Sequence, residues 1–205
     1  MNDSKSLCML LDSARDSGAC DARDLPIRFR ATLARLDTLG IPAVFVGQVA
    51  YGRYAAAQFC EQIDVLLAME ASSTRWDWTL AALAAADSTA SSVGSTVKLV
   101  VHSSRGPEET ALIVQTQRVP WLGCSAPLAT AEHLLVRFLL EGTGVGSALA
   151  VQLAMAHPVN PLMASQIGAM LAVPDRAIEA TLQRAVRDKA SHWRADHRRE
   201  ESTKS

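Results

Sequence analysis

The stretch GIPAVFVGQVAYGRYAAAQFCEQIDVLLA, from Gly40 to Ala68, decides the fold of this chain. Gly40 is a helix stop. Ala43 to Val46 is an unbroken apolar run, the pattern of a strand buried on both faces. Gly47-Gln48 follows as a tight turn, and a short helix rich in small residues is expected over 48–57. A second apolar run from Ile63 to Ala68 carries Asp64 near its start. Strand, glycine turn, helix and acid-bearing strand together set a phosphate-facing turn beside a carboxylate.

Upstream, Pro26 opens an amphipathic helix with Asp24 as its N-cap. Ile27, Leu33, Leu36 and Leu39 are expected to face inward, and Arg28, Arg30, Arg35 and Asp37 outward. Residues 1–24 mix Ser, Asp, Arg and Gly without sustained period. They read as a flexible arm with one short helix at Leu7 to Ala14. Downstream, an Ala-rich helix is expected from Trp76 to Ala86 and a polar loop from Asp87 to Ser95. Strands at Thr96 to Val101 and Ala111 to Arg118 would be joined by a turn over Ser103 to Pro107. After Pro127 the pattern is helical to the end, with Thr130 as N-cap of a helix through Leu140. Glycines between Glu141 and Ser147 mark the clearest change in composition.

The fold class is therefore α/β (α+β): a small mixed sheet with flanking helices, then an all-α C-terminal region. The expected divisions are an arm at 1–24, a first domain at 25–141, a helical domain at 147–190 and a charged tail at 191–205.

The chain has 205 residues, 49% hydrophobic and only 5% aromatic, enough for a real core built from aliphatic side chains. A formal charge of -1 removes any global electrostatic argument for nucleic acid or membrane, so such an argument must be local. Cys8, Cys20, Cys60 and Cys124 form no C-x-x-C pair, which suits a reduced, cytoplasmic compartment. The first residues have acids on both sides of a short apolar run, unlike a secretory leader. No uninterrupted apolar stretch of about 18 residues occurs, so no membrane span is expected.

The Gly47-Gln48 turn, the Gln62-Ile63-Asp64 triplet and the later segment VPWLGCSAPLATAEHLLVRFLL resemble the nucleotidyltransferase superfamily, in its minimal and abortive-infection forms. The resemblance covers roughly residues 27–141. It implies that turn amides hold a triphosphate, with Gly47 and Gln48 as nucleotide-binding candidates. It also implies that an acid pair and a third acid on a later strand hold two Mg or Mn ions. Here Asp64 is the surviving metal-ligand candidate and Gln62 a weaker one. Gln62 keeps an oxygen but loses a charge, and two unit charges at ~4 Å interact by ~4 kcal/mol at an effective dielectric of ~20. The third acid is missing: no Asp or Glu occurs between Asp87 and Glu108. Gln58 stands near a usual arginine, and Glu61 points away from the face that Gln62 and Asp64 share. Lys98 and His102 are candidates to draw phosphate into the cleft, against the plainer reading of a solvated strand face. Gly47 and Asp64 likewise have a plainer reading, as a turn glycine and a local hydrogen-bond acceptor.

Residues 147–188 resemble a helix-turn-helix, closest to winged-helix regulators. Helices are expected at Ala148 to Ala156, at Met163 to Leu171 and from Pro174 onward, with Ile167, Leu171, Val173, Ile178, Leu182 and Val186 apolar. Gly168 holds the small helix-contact position. Ala172 stands where a turn glycine is usual, which disfavours a left-handed conformation there. Arg176, Gln183, Arg184 and Arg187 are the nucleic-acid candidates, offset by Asp175, Glu179 and Asp188. No wing hairpin follows Asp188. From Arg184 to Ser205 there are seven basic and four acidic residues, a mildly basic end. The structural alternative is a plain helical packing module.

Together these readings favour a non-catalytic nucleotidyltransferase-like protein. It would work by binding a protein partner, a second copy of itself, a nucleotide or nucleic acid. The alternatives are an active metal-dependent enzyme transferring a nucleoside monophosphate and a helix-turn-helix DNA-binding regulator.

Overall fold

The computed structural model describes residues 24–55, 62–90 and 97–202. The expected N-terminal arm lies outside the described residues, as do Cys8, Cys20, Cys60, Gln58 and Glu61. Residue contacts divide the chain into two compact units, Met1–Thr130 and Ala131–Ser205. Helix Ala131–Leu140 therefore belongs with the C-terminal helices, ahead of the composition change at 141–147.

The first helix, α1 (Asp24–Leu39), buries Leu25, Arg28, Phe29, Thr32, Leu33 and Leu36. Two expectations fail here: Arg28 is buried, and Ile27 is 52% exposed. Leu25 and Phe29 turn the buried face, and Arg28 sits one turn from both Leu25 and Thr32. Gly40, at φ 63°, ends the helix. Its N–H bonds Asp37 O at 3.2 Å and that of Ile41 bonds Leu36 O at 3.4 Å, the paired bonds of a Schellman stop.

Strand β1 (Ala43–Val46) is buried along its whole length, as its unbroken apolar run requires. The helix α2 (Gly47–Tyr51) is only five residues long, much shorter than expected, because Gly52 opens a run of turns through Ala55. Strand β2 (Gln62–Leu67) pairs antiparallel with β1, with Val46 opposite Asp64. Helix α3 (Trp76–Ala90) runs further than the sequence pattern suggests and packs on α1. It makes the crossover to β3 (Lys98–Ser103), which lies parallel to β2 with Val100 opposite Asp64. The sheet order is β1-β2-β3, so β2 is central. Phe29 of α1 stacks on Phe45 of β1, with ring centroids 4.3 Å apart.

The strand expected at Ala111 to Arg118 is instead the C-terminal half of helix α4 (Pro107–Val114), and the next strand begins only at Arg118. Start signals decide this: Pro107 is in the first turn with Glu108 and Glu109, and Thr110 Oγ1 donates to Gly106 O at 2.9 Å. Strands β4 (Arg118–Trp121) and β5 (Cys124–Pro127) form a two-residue hairpin that the sequence did not announce. Its turn holds Leu122 at φ 48° and Gly123 at φ 78°, and leucine is an unusual residue for that position. Arg118 clamps the hairpin to α1. Its guanidinium donates to both Asp37 oxygens at 2.8 and 2.9 Å and to Ser125 O. The hydrogen bond to Asp37 raises the Arg118 pKa further above its ordinary value. Beyond the hairpin, Ala129 N–H donates to Phe45 O at 3.0 Å, covering part of the β1 edge.

The second unit holds α5 (Ala131–Leu140), α6 (Gly144–Ala156), α7 (Pro161–Met170) and α8 (Asp175–Ser202). Helix α5 packs on α6 and α7, and α8 packs on α6 and α7. Thr143 caps α6 by accepting from Gly146 N at 2.9 Å, and Asn160 caps α7 by accepting from Leu162 N and Met163 N. The α7–α8 turn corrects one expectation: Ala172 does adopt the left-handed conformation, at φ 57°. The tertiary demand is a second Schellman stop, with Val173 N–H on Gly168 O at 2.8 Å and Ala172 N–H on Ala169 O at 3.4 Å. An alanine there costs about 1 kcal/mol relative to glycine. Ala172→Gly is therefore expected to stabilise the protein by about 1 kcal/mol, read as a rise in urea midpoint at unchanged slope. An unchanged or lower midpoint would show that this turn carries no strain.

Among the described residues, no helix is long and apolar enough to cross a membrane.

Candidate functional site

Antiparallel register at the end of β1 brings the Gly47 turn onto Asp64, because Val46 and Asp64 are direct partners. Gly47 has φ 62°, and a Cβ built there would fall against Oδ2 of Asp64. Only glycine lets the backbone turn at this point and leaves the carboxylate its place.

Asp64 is buried, and both of its oxygens are engaged. Gln62 Nε2 donates to Oδ1 at 3.0 Å and to Oδ2 at 3.1 Å. Residues two apart on a strand share a face, so this pair is local. His102 Nε2 lies 3.1 Å from Oδ1. A carboxylate only accepts, so Nε2 is the ring nitrogen that carries hydrogen. The parallel β2–β3 register sets His102 opposite Leu66, two residues beyond Val100, and the long side chain reaches back to Asp64.

Each site candidate among the described residues has a place. Gly47, Gln62, Asp64 and His102 come together. Gln48 is half-buried in the first turn of α2. Lys98 is exposed, in register with Gln62 at the start of β3. The sequence offers His102 either as a side chain that draws phosphate or as part of a solvated strand face; its place beside Asp64 depends on strand register, which no local pattern carries.

The acidic site expected for two divalent ions does not fit these residues. Among the described residues Asp64 is the single carboxylate here, and protein donors hold it from two sides. Among the described residues no three His, Cys, Asp or Glu side chains are grouped so as to hold a metal ion.

Behind the turn, Tyr51 is buried, and burial pushes its phenol above the ordinary 10.0. A folded pKa above the unfolded one means that the native state holds this proton more tightly. Its stabilisation is complete below pH about 10 and is lost as pH rises through the folded value. Unfolding free energy should thus fall more steeply above pH 10 in the wild type than in Tyr51→Phe. Equal slopes would remove Tyr51 as the cause. Cys124 is a free thiol that burial pushes above its ordinary pKa, despite the nearby Arg30 and Arg118. It donates to Trp121 O at 3.3 Å.

No protein-family model matches this chain, and no curated protein matches it.

In the second unit the nucleic-acid candidates all lie on α8 and are exposed. Arg176, Gln183 and Arg187 fall at i, i+7 and i+11, on the side opposite the buried Ile178, Thr181 and Ala185. Arg194 continues the same stripe at i+18. Arg184 stands to one side, 3.5 Å from Asp188. At the turn, a Cβ on Gly168 would meet the side chain of Ile178 and the carbonyl of Val173, so the small residue allows α7 and α8 to approach closely. The chain after Asp188 continues as helix through Ser202, where a wing hairpin would otherwise begin.

Proposed function

We propose that this chain is a nucleotidyltransferase-like protein whose ancestral metal site has been closed, and that it works by binding rather than by nucleotidyl transfer. The observation that carries this reading is the state of Asp64. Gln62, standing where the first acid of the pair would be, donates to the carboxylate that should have been its co-ligand. His102 occupies the other side. A ligand oxygen for a divalent ion must offer free lone pairs and neighbouring negative charge. Among the described residues Asp64 has no acidic neighbour, and each of its oxygens already accepts a hydrogen bond. A three-stranded sheet with β1 antiparallel and β3 parallel to a central acid-bearing β2 suits the same ancestry.

The occupant of such a site would be a nucleotide held without metal, or a protein or nucleic-acid partner. Thermal unfolding with each nucleoside triphosphate, with and without Mg or Mn, tests the reading. A ligand at 100 times its Kd stabilises by ~2.7 kcal/mol. The expected result is no shift that requires metal. A metal-dependent shift, with nucleotidyl transfer that disappears in Asp64→Ala, would restore the enzyme reading instead.

One further observation favours a second reading, a DNA-binding regulator. The Arg176–Gln183–Arg187 stripe follows a tight helix–turn–helix and faces away from the packed side of α8. Duplex binding that weakens steeply with salt, and weakens further in Arg176→Ala and Arg187→Ala, would support it. Affinity indifferent to both substitutions would end it.

A further inference from the structure

Helix α8 is much longer than its packing needs. Among its described side chains Ile178, Thr181 and Ala185 are buried, yet it continues from Val186 through Ser202. That extension is about 25 Å of helix, and a helical segment of this length is marginal in water unless its apolar side is covered. The extension carries such a side. Val186 is 69% exposed and Trp193 is 61% exposed, one heptad apart, with half-buried Leu182 one turn earlier.

These three belong to a longer seam. Asp175, Glu179, Leu182, Val186, Lys189 and Trp193 alternate in steps of four and three, the spacing that keeps one stripe facing a partner helix. The seam is distinct from the Arg176–Gln183–Arg187 stripe. Its charges choose the partner and its direction. Laid parallel on a second copy in register, Glu179 would face Glu179 and Lys189 would face Lys189. Laid antiparallel about a two-fold axis beside residue 184, Leu182 meets Val186, Glu179 meets Lys189, and Asp175 lies level with Trp193. Each contact then occurs twice, as an isologous interface requires.

We propose that α8 pairs antiparallel with α8 of a second copy of this chain through this seam. The pairing covers Val186 and Trp193 and sets Glu179 against Lys189 in one register. It leaves the arginine stripe uncovered.

Light scattering and sedimentation of the full chain across a concentration series test the proposal. The wild type is expected to dimerise. Glu179→Lys and Lys189→Glu each set two like-charge pairs across the axis and are expected to weaken dimerisation about tenfold or more, which is ~1.4 kcal/mol. Mixing the two variants restores both attractive pairs, so a heterodimer of near wild-type affinity should form. Circular dichroism checks that each variant keeps its helix, and heterodimer formation itself reports that both are folded. A wild type that stays monomeric at every concentration overturns the proposal. So does a dimer indifferent to Lys189→Glu and to Val186→Glu, or a mixture that associates no better than either variant alone.

Discussion

Gly47→Ala is expected to destabilise the protein by about 3 kcal/mol. Two costs combine. A left-handed alanine costs about 1–2 kcal/mol, and Gly47 sits at φ 62°. The new Cβ also falls against Asp64 Oδ2, so the carboxylate must leave donors worth a further 1–3 kcal/mol, about the value of hydrogen bonds to a charged group. Gly40→Ala is the control. Gly40 has nearly the same φ, 63°, and nothing within 4 Å of its would-be Cβ. It should lose only the first cost. In an Asp64→Ala background, Gly47→Ala should fall most of the way to the Gly40→Ala value, since the clash with the carboxylate is gone and only the 3.0 Å approach to the residue-64 Cβ remains. Urea unfolding of the four variants reads all of this. Equal losses for Gly47→Ala and Gly40→Ala in the wild-type background would mean that the turn and the acid are not coupled.

Asp64→Ala carries the second-largest effect, a loss of about 2 kcal/mol. The carboxylate is buried and accepts from Gln62 and His102. Its removal strands both donors, though each is near enough to solvent to recover part of the cost from water. The His102 Nε2 proton should be protected from solvent exchange in the wild type and exchange freely in Asp64→Ala, as NMR of labelled histidine would record. Gln62→Ala removes the other donor and should cost about 1 kcal/mol, the value of a single hydrogen bond. A stable Asp64→Ala variant, with its His102 proton as protected as before, would mean that Asp64 is not the organising group. The proposed closure of the site would fall with it.

Under the proposed ancestry, the arrangement around Asp64 would let an acidic motif be worn without the fold being lost. In a metal site, the repulsion of neighbouring carboxylates is offset by the ion. Replace one acid by glutamine, and its amide N–H₂ can turn to the survivor and satisfy it internally. The geometry of β2 needs no change, because Gln62 and Asp64 share a strand face in either state.

How far the sequence spoke for itself differs from element to element. It determined β1 and β2 almost to the residue, because an unbroken apolar run between Gly40 and Gly47 has few other uses and Ile63 to Leu67 is apolar but for Asp64. Gly40 as a helix stop and the helical character after Pro127 were equally local matters. It also placed Gly47, Gln62 and Asp64 close together, since one turn and one short connection separate them.

Tertiary structure decided the rest. Residues Ala111 to Val114 read as strand by composition, but the helix start at Pro107 to Glu109 and the burial of Ile113 under the sheet made them helix. Arg28 went inward because Leu25 and Phe29 are buried on the same side of α1, Phe29 against Phe45 of β1, and they set its inward face. Ala172 took a left-handed turn against its own preference, since the α7–α8 approach at Gly168 and Ile178 outweighed about 1 kcal/mol of local strain. His102 became the partner of Asp64 only through the β2–β3 register, a pairing across 38 residues of chain. Local chemistry sets what each segment prefers. Which preferences prevail, and which distant side chains meet, is settled by the packing of the segments together.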